Sequence, residues 1–289
     1  DISVPLTNLT VENFKAFGDR NEIPMAPITL IYGPNSGGKS SLIQALMLLK
    51  QSVEGHGDRF SGLIPRGRYV DLGTFRSLTH GHDRRRTVKF GIGYKGEIED
   101  RVGDRRWRKF SPLRDTTRAV SFEFRPAKSA SGRMDGSSLS KVRYQSTQPH
   151  ELDISLEKTS STTVKGATRS SGSLSMYRFS DHESIESFVR SRLESRNRGP
   201  ARSPSKIEKD VARLTQALKG SSLLARGLLP ERLYLSNRRE RDDDTFHLFN
   251  LMNPVETLSS EIYTLLASLT YLGPLRSYPA RHYLVSGSE

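Results

Sequence analysis

At 289 residues, with 34% hydrophobic content and a mean hydropathy of −0.56, the chain is long enough for two domains or for one core with a large insertion. It has no cysteine, which excludes disulfides and thiolate metal sites, and no apolar run of about 18 residues, which excludes a helical membrane span. The 45 Lys and Arg residues outweigh 32 Asp and Glu to give a net charge of +13, the footprint of a polyanion partner or of a surface that meets an acidic subunit.

Residues 5–14 predict a first strand, with Leu6, Leu9, Val11 and Phe14 as apolar anchors. A turn at Lys15-Ala16-Phe17-Gly18-Asp19 leads to a second short strand near Glu22–Ile23. The apolar, β-branched run Ile28-Thr29-Leu30-Ile31-Tyr32 reads as a buried strand. It enters Gly33-Pro34-Asn35-Ser36-Gly37-Gly38-Lys39-Ser40, which fits G-x-x-x-x-G-K-[ST] at every fixed position, followed by Ser41 and a helix with Leu42, Ile43, Ala45, Leu46 and Leu49 at helical spacing. Glycines there let backbone N–H groups crowd around phosphate oxygens, and the helix N-terminus offers its unpaired donors to the same anion. Lys39 is the candidate catalytic residue, placed for the β- and γ-phosphates of ATP, and the Ser40 hydroxyl is the candidate Mg²⁺ ligand.

Residues 53–85 are rich in Gly, Arg and Asp and contain VDLGTFRSLTHGHD over 70–83. His80 and His82 read as a metal pair or as a polar loop beside the nucleotide. Alternating segments at Thr87–Tyr94, Ala119–Phe124, Val142–Tyr144, Leu152–Leu156 and Ser175–Phe179 predict an antiparallel sheet with one wet face. Arg84-Arg85-Arg86 and the 104–109 cluster around Trp107 read as nucleic-acid contacts or as solvated hairpins.

Residues 157–175 and 197–205 read as loops, with helices at Ser184–Glu194 and Ile207–Leu218, the second stopped by Gly220. The charge run 238–244 reads as a solvated loop. Asn253-Pro254 reads as the N-cap and first residue of a helix whose stripe is Leu258, Ile262, Leu265, Leu266 and Leu269. The chain continues through YLGPLRSYPARHY (271–283), with Gly273, Pro274 and Pro279 as turn residues.

Asn13-Phe14-Lys15-Ala16-Phe17 ahead of GPNSGGKS, together with the 271–283 phrase, resembles the ATP-binding head of the RecF/SMC/OLD branch of ABC-type ATPases, most of all its defence-associated bacterial members. The resemblance implies an α/β fold: a P-loop NTPase core of ABC-ATPase type with an antiparallel β-lobe and a helical insertion. It implies a P-loop core over 1–56, a β-lobe over 57–180, a helical insertion over 181–268, and a return to the core over 269–289. It implies that Phe14, Lys15 and Phe17 lie beside the nucleotide base and ribose, although core packing explains both phenylalanines equally. It also implies that Gln51 is a candidate metal-sensing glutamine, and that Arg276 and Arg281 are candidates for contacts to nucleotide or to a neighbouring subunit. The implied partners are nucleic acid, chiefly DNA, a second head in a homodimer or higher oligomer, and an effector protein, in a cytoplasmic and membrane-free setting. Such heads also need a serine-glycine signature and an apolar strand ending in Asp-Glu. No apolar run here ends in Asp-Glu, and Ser286-Gly287-Ser288-Glu289 resembles the signature only superficially. The chain is therefore expected to be part of a longer protein and to bind nucleotide better than it hydrolyses it.

Overall fold

The computed structural model describes residues 5–34, 37–55, 62–83, 85–96, 116–128, 136–147, 152–164, 172–195, 203–226, 228–234 and 243–273. Nine strands form one antiparallel sheet: β1 (Leu6–Glu12), β2 (Asn21–Pro24), β3 (Val88–Gly96), β4 (Thr116–Ala127), β5 (Gly136–Ser146), β6 (Leu152–Val164), β7 (Gly172–Phe179), β8 (Ser222–Arg226) and β9 (Leu229–Tyr234). Their order is β2-β1-β3-β4-β5-β6-β7-β8-β9, so after the first hairpin each strand lies beside its sequence neighbour.

Register explains why one face is dry. Val11, Phe90, Phe122, Val142, Leu156 and Phe179 fall opposite one another across six strands, and all are buried. The neighbouring row points the other way and alternates in sign: Glu12, Lys89, Glu123, Lys141, Glu157, Arg178. Within it Lys89 pairs with Glu12 at 3.0 Å and Lys141 with Glu157 at 3.4 Å. Opposite charges directly across a pair of strands support the register, and here they also neutralise the outer face.

The helices contribute their apolar stripes to the same core: α1 (Lys39–Glu54), α3 (His182–Ser195), α4 (Pro204–Lys219) and α5 (Asp243–Ser268). A one-turn helix α2 (Phe75–Leu78) adds Phe75 and Leu78. Polar bonds also anchor α5. Tyr144 Oη lies 2.7 Å from Ser259 Oγ, Tyr94 Oη donates to Glu261 Oε2 at 3.0 Å, and the buried Arg118 guanidinium pairs with the same carboxylate.

The β-lobe strands and the two predicted helices are present as expected. Four local expectations are corrected. Ile28–Tyr32 joins no strand among the described residues, and Ile28, Leu30 and Tyr32 are 82%, 83% and 92% exposed. An apolar run becomes a buried strand only when neighbouring strands satisfy its backbone, and no described strand lies beside it. The 157–175 stretch, expected as loop, extends β6 to Val164 and opens β7 at Gly172, because its Ser and Thr residues serve a strand pair as well as a loop. The 181–268 stretch, expected as helical, also supplies β8 and β9. Pro254 lies inside α5 rather than at its start. Its ring sets a helical φ, so it fits both positions, and the interior site costs one backbone bond, ~3 kcal/mol, against the buried stripe Val255, Leu258 and Ile262.

Candidate nucleotide-binding site

The site is assembled from the start of α1 and two loops packed against it. α1 begins after Gly38, whose φ of 87° is left-handed and costs a residue without a Cβ little. No side chain caps this end, and no acidic residue stands in the first turn. A helix start whose first N–H groups have no intrahelical acceptor, left without a cap of its own, is a ready anion site. Lys39 reaches back over the loop, donating from Nζ to the carbonyls of Gly33 and Pro34 at 2.7 Å each. Gly37 N–H closes on the Pro34 carbonyl at 3.1 Å, and Ser41 N–H on that of Gly38 at 2.9 Å. Ser40 is exposed in the first turn and Ser41 is buried. A hydroxyl beside a cationic amine fits a Mg²⁺–phosphate pair, with Ser40 as a hard oxygen ligand. Asn35 and Ser36 lie outside the described residues.

The turn at residues 14–18 forms the second wall. Phe14 and Phe17 close it with reciprocal backbone bonds of 2.9 and 2.8 Å. A Cβ added at Gly38 would lie 3.0 Å from Phe17 Cζ and 3.2 Å from Ala16 Cβ, so this turn presses directly on the loop glycine. Phe14 is fully buried and meets Phe90 edge-on at 5.2 Å, which gives it the core role of the two alternatives; Phe17 is partly buried against the loop.

The 74–87 segment holds that turn. Lys15 N–H donates to Leu78 O at 2.8 Å, His80 N–H to Asn13 O at 3.1 Å, and His80 Nδ1 lies 2.7 Å from Lys15 O. The Asn13 side chain donates to Thr87 O at 3.1 Å and accepts from Arg86 at 3.0 Å. His80 and His82 therefore act as hydrogen-bonding loop residues in a 3₁₀ turn, with His82 Nδ1 3.2 Å from Arg76 O, and no metal-holding cluster exists among the described residues. Sequence reasoning missed this pairing of loop and turn. The available signal was Asn13, a residue type that tolerates the positive φ of 57° found there.

Gln51 does not face the loop. Its side chain is buried at the far end of α1, where Nε2 donates to Ile64 O and Val70 O and Oε1 accepts from Tyr69 N–H and Val70 N–H. All of the amide's donors and its acceptor are used in stapling the 64–70 loop, so the metal-sensing expectation is corrected.

Residues 5–97 match the AAA ATPase domain model. The chain is also 29% identical over 113 residues to the DNA replication and repair protein RecF of Shewanella denitrificans, a match covering 38% of this chain and 30% of that protein. The N-terminal region is thus similar to the ATPase head of RecF-type proteins. Within this region the structure brings together Gly33, Pro34, Gly37, Gly38, Lys39, Ser40 and Ser41 with Phe17 beside them, and sets Lys15 in the adjoining turn. The Trp107 cluster, Arg84, the 238–242 part of the charge run, Arg276, Arg281 and 286–289 lie outside the described residues. No described helix is long and apolar enough to cross a membrane.

Proposed function

We propose that the head binds ATP with Mg²⁺ at Gly33–Ser41, with Asn35 and Ser36 completing the phosphate loop, Lys39 on the β- and γ-phosphates and Ser40 as the metal ligand. The Lys15-Ala16-Phe17 turn bounds the base and ribose side. The carrying observation is the uncapped start of α1 pressed against that turn through Gly38. Catalysis is positioning plus charge neutralisation: Lys39 exchanges its two carbonyl acceptors for phosphate oxygens and stabilises the charge that develops on the γ-phosphoryl. Bound Mg²⁺ supplies further neutralisation at the β- and γ-oxygens.

In the whole protein, two such heads closing on ATP act on nucleic acid, in DNA maintenance or in prokaryotic antiviral defence, in the cytoplasm. The net charge of +13 and the similarity to a DNA replication and repair protein support a DNA partner. The alternative reading is a nucleotide-bound scaffold that oligomerises and restrains an effector nuclease or toxin with little turnover.

ATP binding and turnover by the longest form of the protein, wild type beside Lys39→Ala, with and without duplex DNA, separates these readings. Turnover that DNA raises and the substitution abolishes supports the DNA-coupled ATPase. Tight binding with negligible, DNA-independent turnover supports the scaffold, and no ATP binding by wild type overturns both.

A further inference from the structure

The net charge of +13 has to be deployed somewhere, and the outer face of the sheet is not the place. Its central row alternates Glu12, Lys89, Glu123, Lys141, Glu157, Arg178, and Arg143 beside it is held by Asp153. A self-compensated face presents little net potential to a polyanion.

The segment that staples the nucleotide turn is different. Residues 76–86 carry Arg76, Arg84, Arg85 and Arg86 with His80 and His82, against a single carboxylate, Asp83. Arg76, Arg85 and Arg86 are exposed. Asp83 accepts the Arg85 N–H at 2.9 Å and lies 3.5 Å from Arg86 Nε, so it serves to shape the turn as well as to pair. The backbone here is also held in costly geometry. The three non-glycine residues with positive φ among the described residues, Asn13, Lys15 and His82, all belong to this segment or to the turn it grips. Such strain, ~1–3 kcal/mol per residue, persists only where surrounding contacts over-determine it, and it collects at functional sites. Those contacts are the Leu78, His80, Arg86 and Thr87 bonds to residues 13–15, and a Cβ at Gly18 would lie 2.9 Å from the His80 ring.

We propose that Arg76, Arg85 and Arg86 form the surface on which this protein meets the phosphate backbone of duplex DNA, and that His80 transmits that contact to the nucleotide turn. Arginine forks suit phosphate oxygens, and contacts of this kind position a duplex without reading its sequence. The path inward is short. The loop's His80 bonds the Lys15 carbonyl, and the next two residues, Ala16 and Phe17, touch Gly38 at the start of α1. A duplex seated on the arginines therefore bears on the phosphate loop through one layer of side chains. The inference rests on the reading of nucleic acid as the partner.

The test uses the full-length protein and a 30-base-pair duplex of about random sequence, with fluorescence anisotropy across a salt series and ATP turnover in parallel. Arg76→Gln, Arg85→Gln and Arg86→Gln combined should weaken duplex binding about tenfold or more at low salt, and flatten the slope of log affinity against log salt by roughly 2–3. The double variant Arg76→Gln, Arg85→Gln, which leaves the Arg86 bond to Asn13 in place, should keep ATP affinity within about twofold. The matching triple lysine variant should restore most of the affinity. His80→Ala should keep duplex affinity but lose the stimulation of turnover by DNA, and His80→Asn, which retains a donor near Nδ1, should regain it. Unchanged duplex binding in the triple glutamine variant, with wild type binding well, overturns the assignment of the surface alone. Unchanged stimulation in His80→Ala overturns the coupling through that residue. A wild-type protein that binds no duplex overturns the nucleic-acid reading beneath both.

Discussion

At its N-terminus α1 starts on a left-handed glycine with no side-chain cap, while side chains near its C-terminal end are tied to neighbouring segments. There Gln51 makes four hydrogen bonds to the 64–70 loop, Ser52 Oγ receives Ile64 N–H at 3.0 Å, and the buried Lys50 ammonium pairs with Glu54 at 2.7 Å and reaches the Ala267 carbonyl near the end of α5. The two ends of a 16-residue helix, about 24 Å apart, thus differ in what their side chains engage. Neighbouring segments occupy the side chains of the C-terminal end, and the N-terminal end is the one proposed to receive nucleotide. Substitutions at the first end should therefore register in nucleotide binding, and substitutions at the second in stability.

The largest expected effect is at the open end. Lys39→Ala should lower ATP turnover by about 10²–10³-fold, while the chemical denaturation midpoint stays where it was. A shifted midpoint would mean that Lys39 is a structural strut through its bonds to Gly33 and Pro34.

Next comes the pair of phenylalanines that share one turn and divide between the two regimes. Phe14→Ala, at a fully buried site against Phe90, should cost about 3–5 kcal/mol in denaturant unfolding. Phe17→Ala should cost less than about 1.5 kcal/mol and should weaken ATP binding more than Phe14→Leu does. Equal effects on binding would dissolve the distinction between core and site within the turn.

Gln51→Glu tests the closed end. It turns a donor that faces the Ile64 and Val70 carbonyls into an acceptor, and should destabilise the fold by about 2–3 kcal/mol with little change in the Mg²⁺ dependence of turnover. An altered metal dependence at unchanged stability would revive the metal-sensing role.

The smallest effect is a pH effect confined to the core. Burial, reinforced by Glu261, pushes the Tyr94 phenol well above its ordinary 10.0, and burial likewise raises Tyr144. Both stay protonated in the fold, so their stabilisation is complete below pH 10.0 and is lost as pH rises through the raised folded values. Unfolding free energy should fall by about 1.4 kcal/mol per pH unit per tyrosine above that point, and Tyr144→Phe should halve the slope. An unchanged slope would show that Tyr144 ionises equally in both states.

Much of this molecule was legible in its residues because the signals were local. The G-x-x-x-x-G-K-[ST] pattern was legible in Gly33, Gly38, Lys39 and Ser40 because it is written in neighbouring residues, two glycines for close backbone approach and two polar side chains. Strands β3 and β4 showed a strict period of two because one face is dry and the other bears the alternating charge row. Helix α4 carried Val211, Leu214 and Leu218 on one stripe, and all three are buried.

What remained beyond the sequence depended on partners distant in the chain. Ile28–Tyr32 has the composition of a buried strand, but composition cannot supply the neighbours that make a strand, and these side chains stand exposed. Pro254 fits the first turn of a helix and its interior alike, and the packing of α5 settled which. Gln51 and His80 are polar residues whose type permits metal or nucleotide chemistry. Only tertiary contacts, from Gln51 to backbone some 13 to 19 positions away and from His80 to a carbonyl 65 positions away, gave them their work as staples. Sequence by itself determined the loop pattern on which the proposed nucleotide site rests, because that pattern is written in consecutive residues. Tertiary structure decided what surrounds it, because each hydrogen bond in that wall joins groups the chain order keeps apart.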